Sequence, residues 1–222
     1  MKYQDYEKAF SPIRLNRYLL ACGNNPIKAL ALYRYNVQLS QKFYAILNVF
    51  EVTLRNAINM HYKEYFSDPD WIKTQLSADG LLGSHPQIKT ISETMAILIA
   101  TNRYSNDRMV SSVTLGFWTY LFTKVPFQRG GKTLLTIFPH KTHSLGQRTI
   151  YNELQTIKAF RNRIAHHEAI CFNTEGRKDI GPAKEYYALI QKYIGFLGFS
   201  DTLLFYGMGT RLEKLFMKID QL

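Results

Sequence analysis

The feature that most constrains this chain is the stretch opened by Asn24-Asn25-Pro26, which runs to about Phe66 without a Pro or a Gly. A capping Asn followed by Pro at the first helical position is a strong helix start. The apolar positions Leu30, Tyr33, Val37, Phe43, Leu47, Phe50, Leu54, Ile58 and Tyr62 then step mostly by three or four. That spacing predicts one very long helix, or two nearly continuous ones, ended by Asp68-Pro69-Asp70.

The rest of the chain reads the same way. Helices are expected from Pro86 to about Tyr104, from Asp107 to Lys124, from Ser144 to about Ala165, from about Ala183 to Phe196 and from Asp201 to Ile219. Pro126 and Gly130-Gly131 mark a loop, Leu134 to Phe138 is a short apolar piece, and Asn173 to Pro182 is a polar loop. No composition shift marks a boundary, and no strand pattern or repeat emerges. The expectation is an all-α helical bundle with decorations, a single domain over residues 1–222.

Charge narrows the partners. Lys and Arg number 28 against 17 Asp and Glu, a formal net charge of +11. Such a surplus favours polyanions, because each phosphate neutralised releases condensed counterions. The basic residues are spread along the chain, so the fold must assemble any positive surface. Aromatic residues make up 14% of the chain, more ring area than can face water without association, so most belong in a core or an interface. The start of the chain lacks the apolar core of a signal peptide, and the runs Met95–Ala100 and Leu115–Phe122 are too short or interrupted to span a bilayer. Two distant cysteines, Cys22 and Cys171, form neither a disulfide framework nor a zinc site and fit a reducing cytoplasm.

The segment Phe160 to Glu168 concentrates the chemistry. It sets Arg161, Asn162, Arg163, His166 and His167 at the end of an apolar-periodic helix. An Arg can stabilise added negative charge on a phosphate, and a His can move a proton near neutral pH. Together they suffice to cleave RNA through the ribose 2′-OH with no metal or cofactor. Arg161 and His166 lie about 140° apart around a helix, whereas Asn162 and His166 share a face. A second copy of the helix across a dimer axis could bring the first pair together. Spacing alone is weak: with 12 Arg and 6 His, about one such pair is expected by chance, and Arg55 and His61 form another. The bland alternative is a capped helix end whose Arg meets a carboxylate and whose histidines satisfy the last carbonyls.

The wider string adds to this. Arg161-Asn162-Arg163-Ile164-Ala165-His166 resembles the Arg-Asn-x-x-x-His signature of the HEPN superfamily, and its extension through His167 and Glu168 is similar to the Abi family of abortive-infection proteins within it. Leu47 to Ile58, holding Glu51, Arg55 and Asn56, resembles that family's N-terminal Glu-x-x-x-Arg-Asn helix, and Ser112 to Trp118 resembles its central segment of small, apolar, Gly and aromatic residues. The resemblance implies an all-α HEPN-type bundle with added peripheral helices, a homodimer, and a ribonuclease site between protomers. Arg161 and His166 would be the catalytic pair, Asn162 would orient them or the phosphate, and His167 would be a helper at most. Products would be a 2′,3′-cyclic phosphate or 3′-phosphate and a 5′-OH. A toxic nuclease needs restraint, so an antitoxin, protein or small RNA, is an expected partner. After the doublet, Glu168 stands where the family's commonest pattern has a basic or apolar residue.

Other candidates carry less. Glu51 and Arg55 have the spacing of a helical ion pair, and either support the Arg161 site or form a polar pair among apolar neighbours. Gln128 to Thr133 ends like a phosphate-binding loop, but Pro126 occupies the place of the required first Gly and no strand precedes it. His140 and His143 have metal-compatible spacing without a completing ligand. Tyr33, Tyr35, Tyr62, Tyr65 and Phe66 among Arg34 and Lys63 could stack on bases, or pack a core.

Overall fold

The computed structural model describes residues 3–222. Among them, twelve α-helices and one 3-10 turn (Leu134–Ile137) carry the regular structure, and β-pairing is limited to a lone antiparallel bridge between Phe172 and Lys178. The protein is therefore all-α. The helices are α1 (Tyr3–Phe10), α2 (Pro12–Ala21), α3 (Pro26–Tyr65), α4 (Trp71–Thr74), α5 (Ile88–Ala100), α6 (Asn106–Ser112), α7 (Leu115–Tyr120), α8 (Lys124–Arg129), α9 (Gln147–Ala165), α10 (Gly181–Phe196), α11 (Asp201–Leu204) and α12 (Gly209–Asp220).

The long helix forms as its ends dictate. The Asn25 side-chain oxygen accepts from the backbone N–H groups of Ile27 and Lys28, each at 3.1 Å, with Pro26 at the first position. At the far end, Ser67 takes φ 50° and the Asp68 N–H reaches back to the Lys63 carbonyl at 3.0 Å. This left-handed closure, not Pro69, stops the helix.

The span expected as one helix from Asp107 to Lys124 is broken into α6, α7 and the start of α8. Ser111 and Ser112 hydroxyls donate back to the Arg108 carbonyl, competing with the ladder, and Val113 and Thr114 are extended. Pro126, expected in a loop, sits in the first turn of α8, where its missing N–H costs nothing. The helix expected over Asp201 to Ile219 is likewise split into α11 and α12, with Gly207 at φ 73° between them. The short helices α1 and α2 precede every expected element.

The chain divides into two compact units. One comprises the chain through Val49, Ala159–Gln191 and Asp201–Leu222. Its core stacks Phe160 on Tyr186 at 4.1 Å and sets Phe43 edge-on to Phe160 at 4.8 Å. Tyr18 wedges between Tyr33 and Phe172 with both contacts edge-on. Of these rings Tyr18, Phe43, Phe160 and Phe172 are fully buried, and each contributes roughly 1.5–3 kcal/mol through lost apolar surface.

The other unit comprises Phe50–Lys158 and Lys192–Ser200. Its core is built on Trp71, Trp118, Phe117 and Tyr62, all fully buried. The Trp71 indole N–H donates to the Asn59 side-chain oxygen at 2.9 Å, and Asn106 donates to the same oxygen at 3.0 Å. Gly130 and Gly131 are there for packing: a Cβ on Gly130 would fall 2.8 Å from the Tyr62 hydroxyl, and one on Gly131 would overlap the Tyr65 hydroxyl.

Candidate functional site

The site begins where α9 ends. The His167 N–H donates to the Ile164 carbonyl at 3.0 Å and the Glu168 N–H to the Arg163 carbonyl at 2.9 Å. His167 itself takes φ 57°, the left-handed residue of a Schellman closure, a place usually held by Gly. The terminal carbonyls are thus satisfied by backbone, and within the described residues neither His166 nor His167 forms a ring hydrogen bond or ion pair. The expected helix-end ion pair does exist, but Arg163 makes it, to Glu168 at 3.1 Å, and Arg163 also donates to the Ala169 carbonyl. The negative charge of Glu168 is therefore matched beside the doublet.

Two further anchors fix the turn. The buried Asn36 side-chain oxygen on α3 accepts from the Ile170 and Cys171 N–H groups at 2.8 and 3.2 Å. From α2, the Arg14 guanidinium donates to the His167 carbonyl at 2.6 Å.

Arg14, Asn36, Arg161 and His167 share one cavity of about 710 Å³, completed by Tyr33, Val37, Ser40, Gln41, Tyr44, Ile164 and Ala165. Its lining has two guanidiniums, one imidazole and several neutral polar groups, with no carboxylate. Tyr44 is 63% exposed, so a ring face is open to whatever enters. Two fixed positive charges beside an open tyrosine suit an anionic, ring-bearing ligand: charge-assisted hydrogen bonds for phosphate oxygens and a stacking face for a base.

Each expected site residue can now be placed. Arg161 is half-buried and lines the cavity, whereas Asn162 and His166 are exposed and are not among its lining residues. This follows from helical geometry: Arg161, Ile164 and Ala165 share one side of α9, and the reversal at the left-handed turn returns His167 to that side. Glu51 and Arg55 are half-buried and Asn56 exposed on α3, in the second unit. The Arg55 Nε atom is buried without a hydrogen-bond partner.

Of the interleaved aromatics, Tyr33 is buried in the cavity wall, Tyr62 stacks on Phe66 and packs at a tilt against Trp71, and Tyr65 covers Gly131. Gln128 and Lys132 line a second cavity, about 670 Å³, with Lys124 and Arg148. His140 and His143 are exposed, and among the described residues no three His, Cys, Asp or Glu side chains gather as a ligand set. Both cysteines are buried free thiols, and burial pushes Cys171 up to about 12, so it stays protonated. Among the described residues no helix is long and apolar enough to cross a membrane.

Sequence reasoning missed Arg14 and Tyr44. The cue for α2 was present, since Ser11-Pro12 is a cap followed by a first-position Pro, and the Ser11 hydroxyl accepts from the Arg14 N–H. Nothing in the sequence ties Arg14 to a helix end 153 residues away.

No curated protein and no solved structure matches the chain. A family model described as Abi-like protein matches residues 2–171, a span that holds α1 through α9, the Arg14 anchor and the whole His166-His167 turn. The chain belongs to the Abi-like protein family.

Proposed function

We propose that this protein is an abortive-infection ribonuclease that cleaves RNA through the ribose 2′-OH without a metal, at a site centred on the end of α9. The observation that carries the reading is the one cavity shared by Arg161, Arg14 and His167, with His166 exposed at the adjacent position. Membership of the Abi-like family points to phage defence, and the HEPN resemblance of the Arg161 to His166 string points to RNA.

In this mechanism the His166 imidazole takes the proton of the 2′-OH, and the 2′-oxygen attacks the adjacent phosphorus. The P–O5′ bond breaks, and the imidazolium so formed gives its proton to the leaving 5′-oxygen, with His167 a helper at most. The products are a 2′,3′-cyclic phosphate and a 5′-OH. The Arg161 guanidinium stabilises the charge on the phosphorane, and Asn162 orients the phosphate. His166 lies about 140° around the helix from Arg161, so a second protomer is the natural source of its partner, and the working form is a homodimer. A nuclease of this kind acts on RNA in the cell that makes it, and an antitoxin, protein or small RNA, would restrain it.

The test compares wild type with R161A, H166A and H167A. Growth on induction and cleavage of labelled single-stranded RNA in EDTA are measured, with sedimentation to follow assembly. Catalysis predicts toxicity and cyclic-phosphate products in wild type, with a loss of roughly 10²–10⁴ in R161A and H166A at unchanged folding. Wild-type cleavage rates in R161A would sink the reading. One observation favours a second reading, RNA binding without turnover: neither imidazole is oriented by a hydrogen bond from the described residues, as a proton-transfer group usually is. That reading predicts retained RNA and no products.

A further inference from the structure

The helix α12 lies beyond the residues matched by the family model, and its two faces differ sharply. Leu212, Leu215, Phe216 and Ile219 are buried, while Arg211, Lys214 and Lys218 are exposed. The three cations stand at i, i+3 and i+7, one stripe of the helix. Opposite them, α3 supplies Lys42, Gln38 and Gln41, and together these residues line a groove of about 270 Å³ without a carboxylate.

None of these four cations forms an ion pair with a described residue. Of the helix's own acids, Asp220 is held by Lys184 at 3.3 Å, and Glu213 is exposed and does not line the groove. Lys218 lies over the Tyr35 ring at 5.7 Å. Four cations lining one groove with no acid among its residues make a surface that a polyanion can neutralise, releasing its condensed counterions.

Position decides which polyanion. Gln41 lines both this groove and the cavity of Arg161 and His167, so the two adjoin on α3. The stripe from Arg211 to Lys218 covers about 10 Å at 1.5 Å per residue, room for roughly three phosphates of one strand.

We propose that the basic face of α12, with Lys42, is the track along which single-stranded RNA lies as its scissile phosphate enters the Arg161 cavity. The proposal rests on the ribonuclease reading and adds the path of the substrate. The track holds phosphates alone, so it binds without regard to sequence and acts on affinity, not on the chemical step.

The test uses the full-length triple variant R211A/K214A/K218A beside wild type, R161A and the charge-preserving R211K/K214R/K218R. Binding of a labelled single-stranded RNA is measured from 50 to 200 mM salt, with cleavage followed at limiting and saturating RNA. The track predicts an affinity roughly tenfold or more lower at 50 mM salt. It also predicts a salt dependence shallower by about 0.7 per lost cation. KM rises while kcat at saturation is unchanged, and the charge-preserving variant restores both readouts. If wild type cleaves and R161A does not, yet the triple variant matches wild type in affinity and slope, the track is wrong and the ribonuclease reading stands. If wild type retains no RNA, both fall. If polyglutamate displaces RNA from wild type as well as unlabelled RNA does, the face is a seat for an acidic protein and the proposal is overturned.

Discussion

The Arg14 guanidinium closes on the main-chain carbonyl of His167 at 2.6 Å, tying the second helix of the chain to the turn that ends α9. The carbonyl belongs to the one left-handed residue of that turn, so the bond fixes the reversal that carries His167 into the cavity. Replacing Arg14 by Ala removes a charge-assisted donor and one of the cavity's two guanidiniums. The bond is exposed, so the stability cost is about 1 kcal/mol, that of an ordinary hydrogen bond and below that of a charged one. The larger effect falls on function: RNA cleavage by R14A drops at least tenfold, and R14K recovers only part, since an ammonium lacks the planar fork. Kinetics at saturating RNA together with a urea titration check this. A variant that keeps full activity while losing stability would reduce Arg14 to a staple.

His167 at φ 57° occupies a conformation that costs a residue with a Cβ roughly 1–2 kcal/mol and costs Gly nothing. The unfolded chain gains freedom with Gly, which offsets roughly 0.5–1 kcal/mol of that. H167G is therefore expected to be as stable as wild type or up to about 1.5 kcal/mol more stable, and less active. A helix cap alone would gain stability with no loss. Thermal melting read beside RNA cleavage separates the two, and an H167G protein with wild-type cleavage would assign the position to capping.

How much of this was legible depends on the length scale of the cause. The start of α3 was readable because Asn25 and Pro26 act on their own helix within three residues. The end of α9 at Ala165 was readable for the same local reason. The break at Val113 and Thr114 was hidden, because Leu115, Trp118, Leu121 and Phe122 are buried in short turns as readily as in one helix. Which histidine lines the cavity with Arg161 was hidden too, since a left-handed residue at 167 is set by the closure geometry and not by propensity. Arg14 reaches the site through tertiary packing alone.

Asn36 is the polar hinge pin under the segment that follows the doublet. Its side-chain oxygen satisfies two buried N–H groups, those of Ile170 and Cys171. N36L has similar volume and no acceptor, leaving both donors unpaired at about 1–3 kcal/mol each. The expected loss is about 2–6 kcal/mol in denaturant unfolding. Hydrogen exchange at the Ile170 and Cys171 amides should accelerate more than exchange at the Phe160–Tyr186 core. Uniform acceleration across the unit would show that Asn36 supports global stability and not this turn.

His85 gives the second unit a defined acid sensitivity. Its ring packs against Tyr120 and Phe117, and its Nδ1 atom accepts from the Gln87 N–H at 2.9 Å. Burial pushes the imidazole down to about 4, an effect the Phe117 backbone offsets only in part. The unfolded ring titrates near 6.5. Between those values the unfolded chain binds a proton that the folded chain refuses, so stability falls as pH drops from about 6.5 toward 4 and is unaffected above that window. By pH 4.5 the loss reaches roughly 2–3 kcal/mol. His61 is also lowered by burial and adds loss in the same direction, so the test needs a variant. H85N keeps an oxygen acceptor for the Gln87 N–H and cannot titrate. The stability gap between wild type and H85N, measured by urea unfolding, should narrow by roughly 2–3 kcal/mol between pH 7 and pH 4.5. A gap that stays constant across that range would mean the ring takes up its proton in the folded state, and the packing around Tyr120 would have to open to admit it.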